Sequence, residues 1–363
     1  MIDRRQVMSF RVQAQQLTRA EGTLADTAVL DIGVQDTGPD GGGWAMALRG
    51  VDTTASSGDD LVLLWTVRGA PHLYRRADVG QVAAAVEPWS DADAGKRVYD
   101  AAKPLRTAGI GVLAALDEVA AQMRSVVTRP TVKGEVSGHL AQVLPEPYLR
   151  FCRPCRATHL FEMPFRLAAL RAGLELRPGT SPPVLERIPG FTKADAAGDR
   201  FDVIRAYLRL LGPATPKDVA TYLDAPVKEV KARWPEDAVE VTVEGETRSL
   251  LTVDERALTS ADATGTRLLG PFDLFLQARD RATLVPDAAH AKELWPVLGR
   301  PGAVLVDGEL VGTWRPRKSG SRMTVAVRPW AKLPDTRHRA VVEQAERLAA
   351  YRSVALAGVD FDG

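Results

Sequence analysis

Thr215-Pro216-Lys217-Asp218-Val219-Ala220-Thr221-Tyr222-Leu223 opens with a helix start spelled out residue by residue. A hydroxyl can cap, a proline stands where the N–H is dispensable, and an acid sits in the first turn. Just upstream, Phe201, Val203, Ile204, Tyr207, Leu208 and Leu211 recur at helical spacing and stop at Gly212-Pro213. Downstream, Val227 to Trp234 suits a third helix. Val239-Glu240-Val241-Thr242-Val243 and Arg248-Ser249-Leu250-Leu251-Thr252-Val253 then alternate as paired strands. Three short helices followed by a hairpin are a helix-turn-helix with a two-stranded wing, a winged helix.

The same order appears once earlier. From Ile110 to Val127 an amphipathic helix carries Val112, Leu113, Leu116, Val119, Met123 and Val126 on one face. Thr131 is placed to cap a helix over 132–143, before Pro145 and Pro147. A third helix is expected over about 151–173. Leu174-Glu175-Leu176 and Val184 to Ile188 then form the wing. The front of that third helix carries Arg150, Arg153 and Arg156 and no acid, a pattern suited to phosphate. Cys152, Cys155 and His159 lie in the same stretch. A structural zinc site takes four ligands, and no second cluster supplies the rest. The reading is therefore two small buried thiols on a helix face, and no metal.

At the N-terminal end, residues 3–20 read as a helix with Val7, Phe10, Ala14 and Leu17 inward. Arg4, Arg5, Arg11 and Arg19 decorate its other sides, and Gln13, Gln15 and Gln16 are solvated helix formers. Asp31-Ile32-Gly33-Val34-Gln35-Asp36-Thr37-Gly38-Pro39 follows, a polar cluster in apolar surroundings. It has two readings: a site that handles a small molecule or a base, or a turn in which Asp36 and Thr37 bond local N–H groups. Residues 44–50 suit a strand or a short helix. Leu61 to Gly69 is an apolar strand, and His72 beyond it is either structural or a phosphate contact. At the other end, Ala303 to Trp314 is a hairpin turning on Asp307-Gly308. A second hairpin has a basic tip, Arg315-Pro316-Arg317-Lys318-Ser319-Gly320-Ser321-Arg322. Leu310 to Pro334 holds six Lys or Arg and no acid, so a polyanion is the natural partner, against the plainer reading of a solvated tip. A helix from about Arg339 to Leu356 closes the sequence.

Composition narrows the class. With 363 residues, two or three domains are expected, and 45% hydrophobic content supplies several cores. No apolar run approaches the ~20 residues of a membrane helix, and residues 1–5 are charged, unlike a signal peptide. The two cysteines give no disulfide framework, so a cytoplasmic protein is expected. A net charge of +1 means that any polyanion must be met by local patches.

Several of these segments, taken together and in order, resemble the AlkZ-like DNA glycosylases. The matching pieces are Trp65-Thr66-Val67-Arg68-Gly69-Ala70-Pro71-His72-Leu73, Thr131 to Ser137, Leu210 to Ala220, Leu268-Leu269-Gly270-Pro271-Phe272-Asp273, Arg279-Asp280-Arg281 and Val311 to Arg315. The resemblance implies an α+β fold of tandem winged helices in a C-shaped arrangement with a C-terminal β-barrel. The expected division is 1–88, 89–195, 196–257 and 258–363. It implies a protein that binds duplex DNA, alkylated or crosslinked, and excises N7-alkylated purines; the chemistry calls for no cofactor, and a monomer is expected. The family's Gln-x-Gln or Gln-x-Asp signature falls on Gln35-Asp36-Thr37, with Thr37 where the second Gln or Asp belongs. Gln35, Asp36 and Thr37 are thus the catalytic candidates. His72, Arg153, Arg156, Arg315, Arg317, Lys318 and Arg322 are the DNA-binding ones. The alternative is a winged-helix regulator or lesion-shielding protein without catalysis.

Overall fold

The computed structural model describes residues 2–38, 41–52, 60–260 and 262–361. Helices and strands are mixed, as the sequence patterns require. The chain gathers into two compact units, Met1–Ser56 with Arg205–Asp218 and Pro235–Gly363, and Ser57–Ile204 with Val219–Trp234. The 89–195 segment lies wholly in the second unit, whereas 196–257 is shared between the two.

In the second unit, Pro71–Arg75, Leu61–Trp65, Leu174–Leu176, Val184–Arg187 and Thr131–Val132 follow one another as antiparallel neighbours. The helices Val112–Val126, Lys133–Val143 and Glu162–Arg171 share one core with these strands, around Leu116, Val119, Met123, Leu140 and Phe165. Val112, Ala115, Leu116, Val119, Ala120 and Met123 form the buried stripe of the first helix at three- and four-residue spacing. Its start is capped from a distance, Asp91 Oδ1 accepting the Leu113 amide at 2.8 Å.

Two expectations change here. Thr131 is not a cap: it pairs with Leu185 in the sheet, and its hydroxyl donates to the Arg129 carbonyl. The helix expected over 151–173 spans only Glu162–Arg171. The front of the expected span is a hairpin instead, Leu149–Cys152 against Ala157–Leu160.

The first unit carries a sheet ordered Thr266–Leu269, Gly302–Val306, Glu309–Ser319, Arg322–Pro329 and Ala355–Phe361. The first four are antiparallel neighbours. The last runs parallel to Arg322–Pro329 after the Asp335–Tyr351 helix. The sheet is open, so the expected barrel is corrected: its first and last strands do not pair among the described residues. Asp307 and Gly308 both take positive φ (48° and 84°), as a two-residue hairpin turn demands. A second hairpin, Ala238–Val243 with Glu246–Leu251, turns on Glu244-Gly245. Val243, Leu250 and Leu258 pack with Val7 and Phe10 of the Arg4–Ala14 helix. That helix begins in a reciprocal cap between Asp3 and Gln6.

Gln15, read as solvated, and Arg11, expected on an outer side of its helix, are fully buried. Arg11 reaches Asp280 with two bonds (3.0 and 2.8 Å) and donates to the Gly212 carbonyl. Gln15 donates to the Leu210 carbonyl at 2.9 Å and accepts from Arg49. Arg49 itself forms a bidentate pair with Asp273 (2.9 and 3.0 Å), both side chains excluded from solvent. Buried charges persist when paired and fully hydrogen-bonded, and each of these has partners far away in the sequence.

Candidate active site and DNA interface

Val34–Gln35 is a two-residue strand entered through Gly33 at φ 94°. On extended backbone, residues 35 and 37 share a side and residue 36 faces away. The hydrogen bonds follow that alternation. Gln35 Nε2 donates to Thr37 Oγ1 at 3.0 Å. Asp36 Oδ1 accepts the Gly42 amide at 2.7 Å, in the first turn of the Gly41–Ala47 helix. Gly41 sits at φ 37°, and a Cβ there would lie 1.8 Å from Asp36 Oδ1, so only glycine lets the carboxylate reach its partner. Pro39, the last residue of the polar cluster, lies outside the described residues. Gln35 Oε1 is buried and has no hydrogen-bond partner among the described residues. A buried acceptor without a donor costs roughly 1–3 kcal/mol, a group that binding of a donor would relieve.

Thr37 lines a cavity of about 390 Å³. Trp44, Phe272 and Trp314 give it aromatic walls, and Arg300, Arg315 and Arg352 give it cations. Both indoles are fixed, Trp44 Nε1 donating to the Leu268 carbonyl and Trp314 Nε1 to that of Leu269, each at 2.8 Å. Arg300 lies over the Phe272 ring at 5.5 Å, and Arg315 donates to the Gly299 carbonyl at 2.6 Å. Asp273 is the acid in the lining, and its charge is already matched by Arg49. The result is a cationic, aromatic-walled recess, a combination that stacks a planar ring and attracts phosphate.

Arg315 continues into the basic hairpin. In its register Arg315 opposes Ala326, Arg317 opposes Thr324 and Ser319 opposes Arg322. Strand alternation therefore puts Arg315, Arg317, Arg322 and Arg328 on one face and Lys318 on the other, beside buried Met323. All five cations are exposed. Arg328, Arg300 and Arg352 were not singled out from sequence. Alternation from Arg322 could have found Arg328, whereas Arg300 and Arg352 reach the recess through contacts that no local pattern encodes.

In the second unit, Arg153 and Arg156 are exposed near the tip of the 149–160 hairpin, with Phe151 64% exposed beside them. Arg150 is engaged with Asp100 at 3.2 Å. His72 is not placed to meet phosphate. It is 2% exposed, with Nδ1 2.9 Å from the Ala70 carbonyl and 3.0 Å from Thr66 Oγ1. Since a carbonyl only accepts, Nδ1 carries the proton. Burial, and then the neighbouring Arg68 cation, hold the imidazole pKa down at about 3, against the weaker opposing pull of the Ala70 bond.

A family model described as DNA glycosylase AlkZ-like matches residues 49–351, and the chain belongs to that family. The structure is similar to that of the DNA glycosylase AlkZ from Streptomyces sahachiroi, with a TM-score of 0.73 over 99% of each chain at 21% sequence identity. At that identity the likeness is one of fold. No curated protein matches the sequence. The Gln35 cluster precedes the residues matched by the family model. Within them, Asp273 and Asp280 of the family-like motifs serve the buried Arg49 and Arg11 pairs. Among the described residues, no helix is long and apolar enough to cross a membrane.

Proposed function

We propose that this protein is a monofunctional DNA glycosylase that excises N7-alkylated purines from duplex DNA in the cytoplasm, acting as a monomer. The observation that carries this reading is the unpaired, buried Gln35 Oε1 joined through its amide to Thr37 on the wall of the cationic recess. Breaking an N-glycosidic bond passes through an oxocarbenium-like state, which needs an oriented water and stabilisation of positive charge. Gln35 Oε1 supplies a neutral acceptor for that water. Thr37 Oγ1, accepting from Gln35 Nε2, keeps its own O–H to hold the water or a phosphate oxygen. Asp36 is the nearest anion in sequence, but one of its oxygens is bound to Gly42, so it acts as a fixed charge rather than a mobile base. An N7-alkylated purine leaves as a neutral base, which lowers the demand for a general acid. In this reading the recess receives the base and its alkyl group, and the 309–329 hairpin and the 149–160 hairpin, Arg153 and Arg156 included, lie along phosphates. The helix trios with their hairpins are its tandem winged helices.

The second reading, a regulator or shield without catalysis, is favoured by one observation: Asp36 is engaged by the Gly42 amide, and Thr37 stands where the family signature has Gln or Asp. Single-turnover excision on duplexes carrying N7-methylguanine or a bulkier N7 adduct separates the two. Gln35→Ala should slow excision by about 10²-fold or more, the scale of losing one aligned polar group in a reacting site. Thr37→Ala should slow it less, and Asp36→Ala should slow it while also loosening the 41–47 helix. Tight DNA binding with no excision of either adduct would establish the second reading.

A further inference from the structure

The hairpin Leu149–Cys152 and Ala157–Leu160 turns through Arg153-Pro154-Cys155-Arg156, with Arg156 at φ 50°. Cys152 opposes Ala157, so His159, two residues further on the facing strand, shares its face as a diagonal neighbour. The turn folds Cys155 back toward both. Cys152 Sγ, Cys155 Sγ and a His159 ring nitrogen all lie within 4.8 Å of one another. This corrects the expectation of buried thiols on a helix face: Cys155 is exposed on the turn, and Cys152 is half-buried at the end of its strand.

We propose that Cys152, Cys155 and His159 bind a zinc(II)-class cation that locks this hairpin. Two thiolates and one imidazole are a donor set that selects zinc over the hard cations, and the two thiolate charges balance a divalent ion. Metal–ligand bonds of about 2.0–2.3 Å set tetrahedral donors roughly 3.3–3.8 Å apart, so the three side chains need close by only about 1 Å. The fourth position falls to water. A cavity of about 290 Å³ borders all three donors and is lined also by Lys133, Ser137 and Glu162. Glu162 is not a ligand or a base there. Its carboxylate is held by Lys133 Nζ (2.8 Å to each oxygen) and by Arg166 Nε (2.6 Å). Three protein ligands and a water depart from the closed four-ligand set of a structural site, yet the ion still ties the turn bearing Arg153 and Arg156 to the strand bearing His159.

The test uses the full chain, purified reduced and without chelator. Metal analysis should find about one zinc per chain after desalting. Both thiols should resist a disulfide-exchange reagent until chelator is added, and cobalt(II) loading should produce sulfur-to-metal charge-transfer absorption. His159→Ala should weaken zinc affinity more than about tenfold, since even groups behind metal ligands are worth that much. Wild-type protein that retains no zinc and whose two thiols react at once, or are found joined as a disulfide, overturns the proposal without recourse to any variant.

Discussion

His72 gives a pH dependence whose size follows from its surroundings. The folded imidazole has its pKa at about 3, below the ordinary 6.5, so in this region the unfolded chain binds more protons than the folded one between those values. Stability contributed by the neutral ring is therefore fully present above pH 6.5. It is lost as pH falls toward 3, with a slope of about 1.4 kcal/mol per pH unit. At pH 5 the loss amounts to about 2 kcal/mol. The substitution His72→Gln removes the titration while retaining a polar group for Thr66 and the Ala70 carbonyl. Urea unfolding of both proteins at pH 7 and pH 5 should show wild type losing about 2 kcal/mol more than the variant between the two. In NMR, the His72 ring resonance should stay in its neutral position down to pH 4.5. A His72 resonance that titrates near pH 6.5, or equal pH sensitivity in the two proteins, would refute the account. It would mean that the ring reaches water or a carboxylate partner.

Three further outcomes are expected. Arg49→Met leaves Asp273 charged, buried and without its counter-ion, and should destabilise the protein by about 3–5 kcal/mol in thermal or urea unfolding; the double change with Asp273→Leu should recover much of that. Arg317→Ala with Arg322→Ala removes two cations from one hairpin face, and should flatten the plot of log affinity against log salt by roughly 2 units, Lys318→Ala by less. An unchanged slope would remove this face from the DNA contact. Gly41→Ala should break the Asp36–Gly42 bond and lower excision and stability together, whereas an unaltered variant would show that the tight 41–42 turn is immaterial.

Much of the architecture was legible where a pattern is local. The 112–126 helix announces itself by its stripe, the 302–319 hairpin by Asp307-Gly308, and the 238–251 hairpin by strict alternation. What escaped depends on distance. Arg11 and Gln15 look solvated on a helix, because their partners, Asp280 and the Leu210 carbonyl, lie 269 and 195 residues away. The hairpin at 149–160 was merged into a helix, because the signal that breaks it is one residue, Arg156, in a left-handed conformation that sequence does not favour. The last strand, Ala355–Phe361, has small and weakly alternating side chains and gains its place by joining an existing sheet edge. At the candidate site, the pairing of Gln35 with Thr37 follows from two-residue alternation. The Asp36–Gly42 bond and the arginines of the recess do not.

The first unit draws together 1–56, 205–218 and 235–363, with Val7 and Phe10 lodged against Val243, Leu250 and Leu258. During synthesis the helix that emerges early must therefore wait, its apolar stripe uncovered, until some two hundred and forty residues more have left the ribosome. The 57–204 stretch can collapse meanwhile, since its partners lie almost all within itself. Birth order and completion order run opposite for residues 4–14. Chains stalled before residue 235 should accordingly show protease-resistant 57–204 and a readily cleaved N-terminal helix. Equal protection of both would mean that the nascent helix finds a temporary shelter elsewhere.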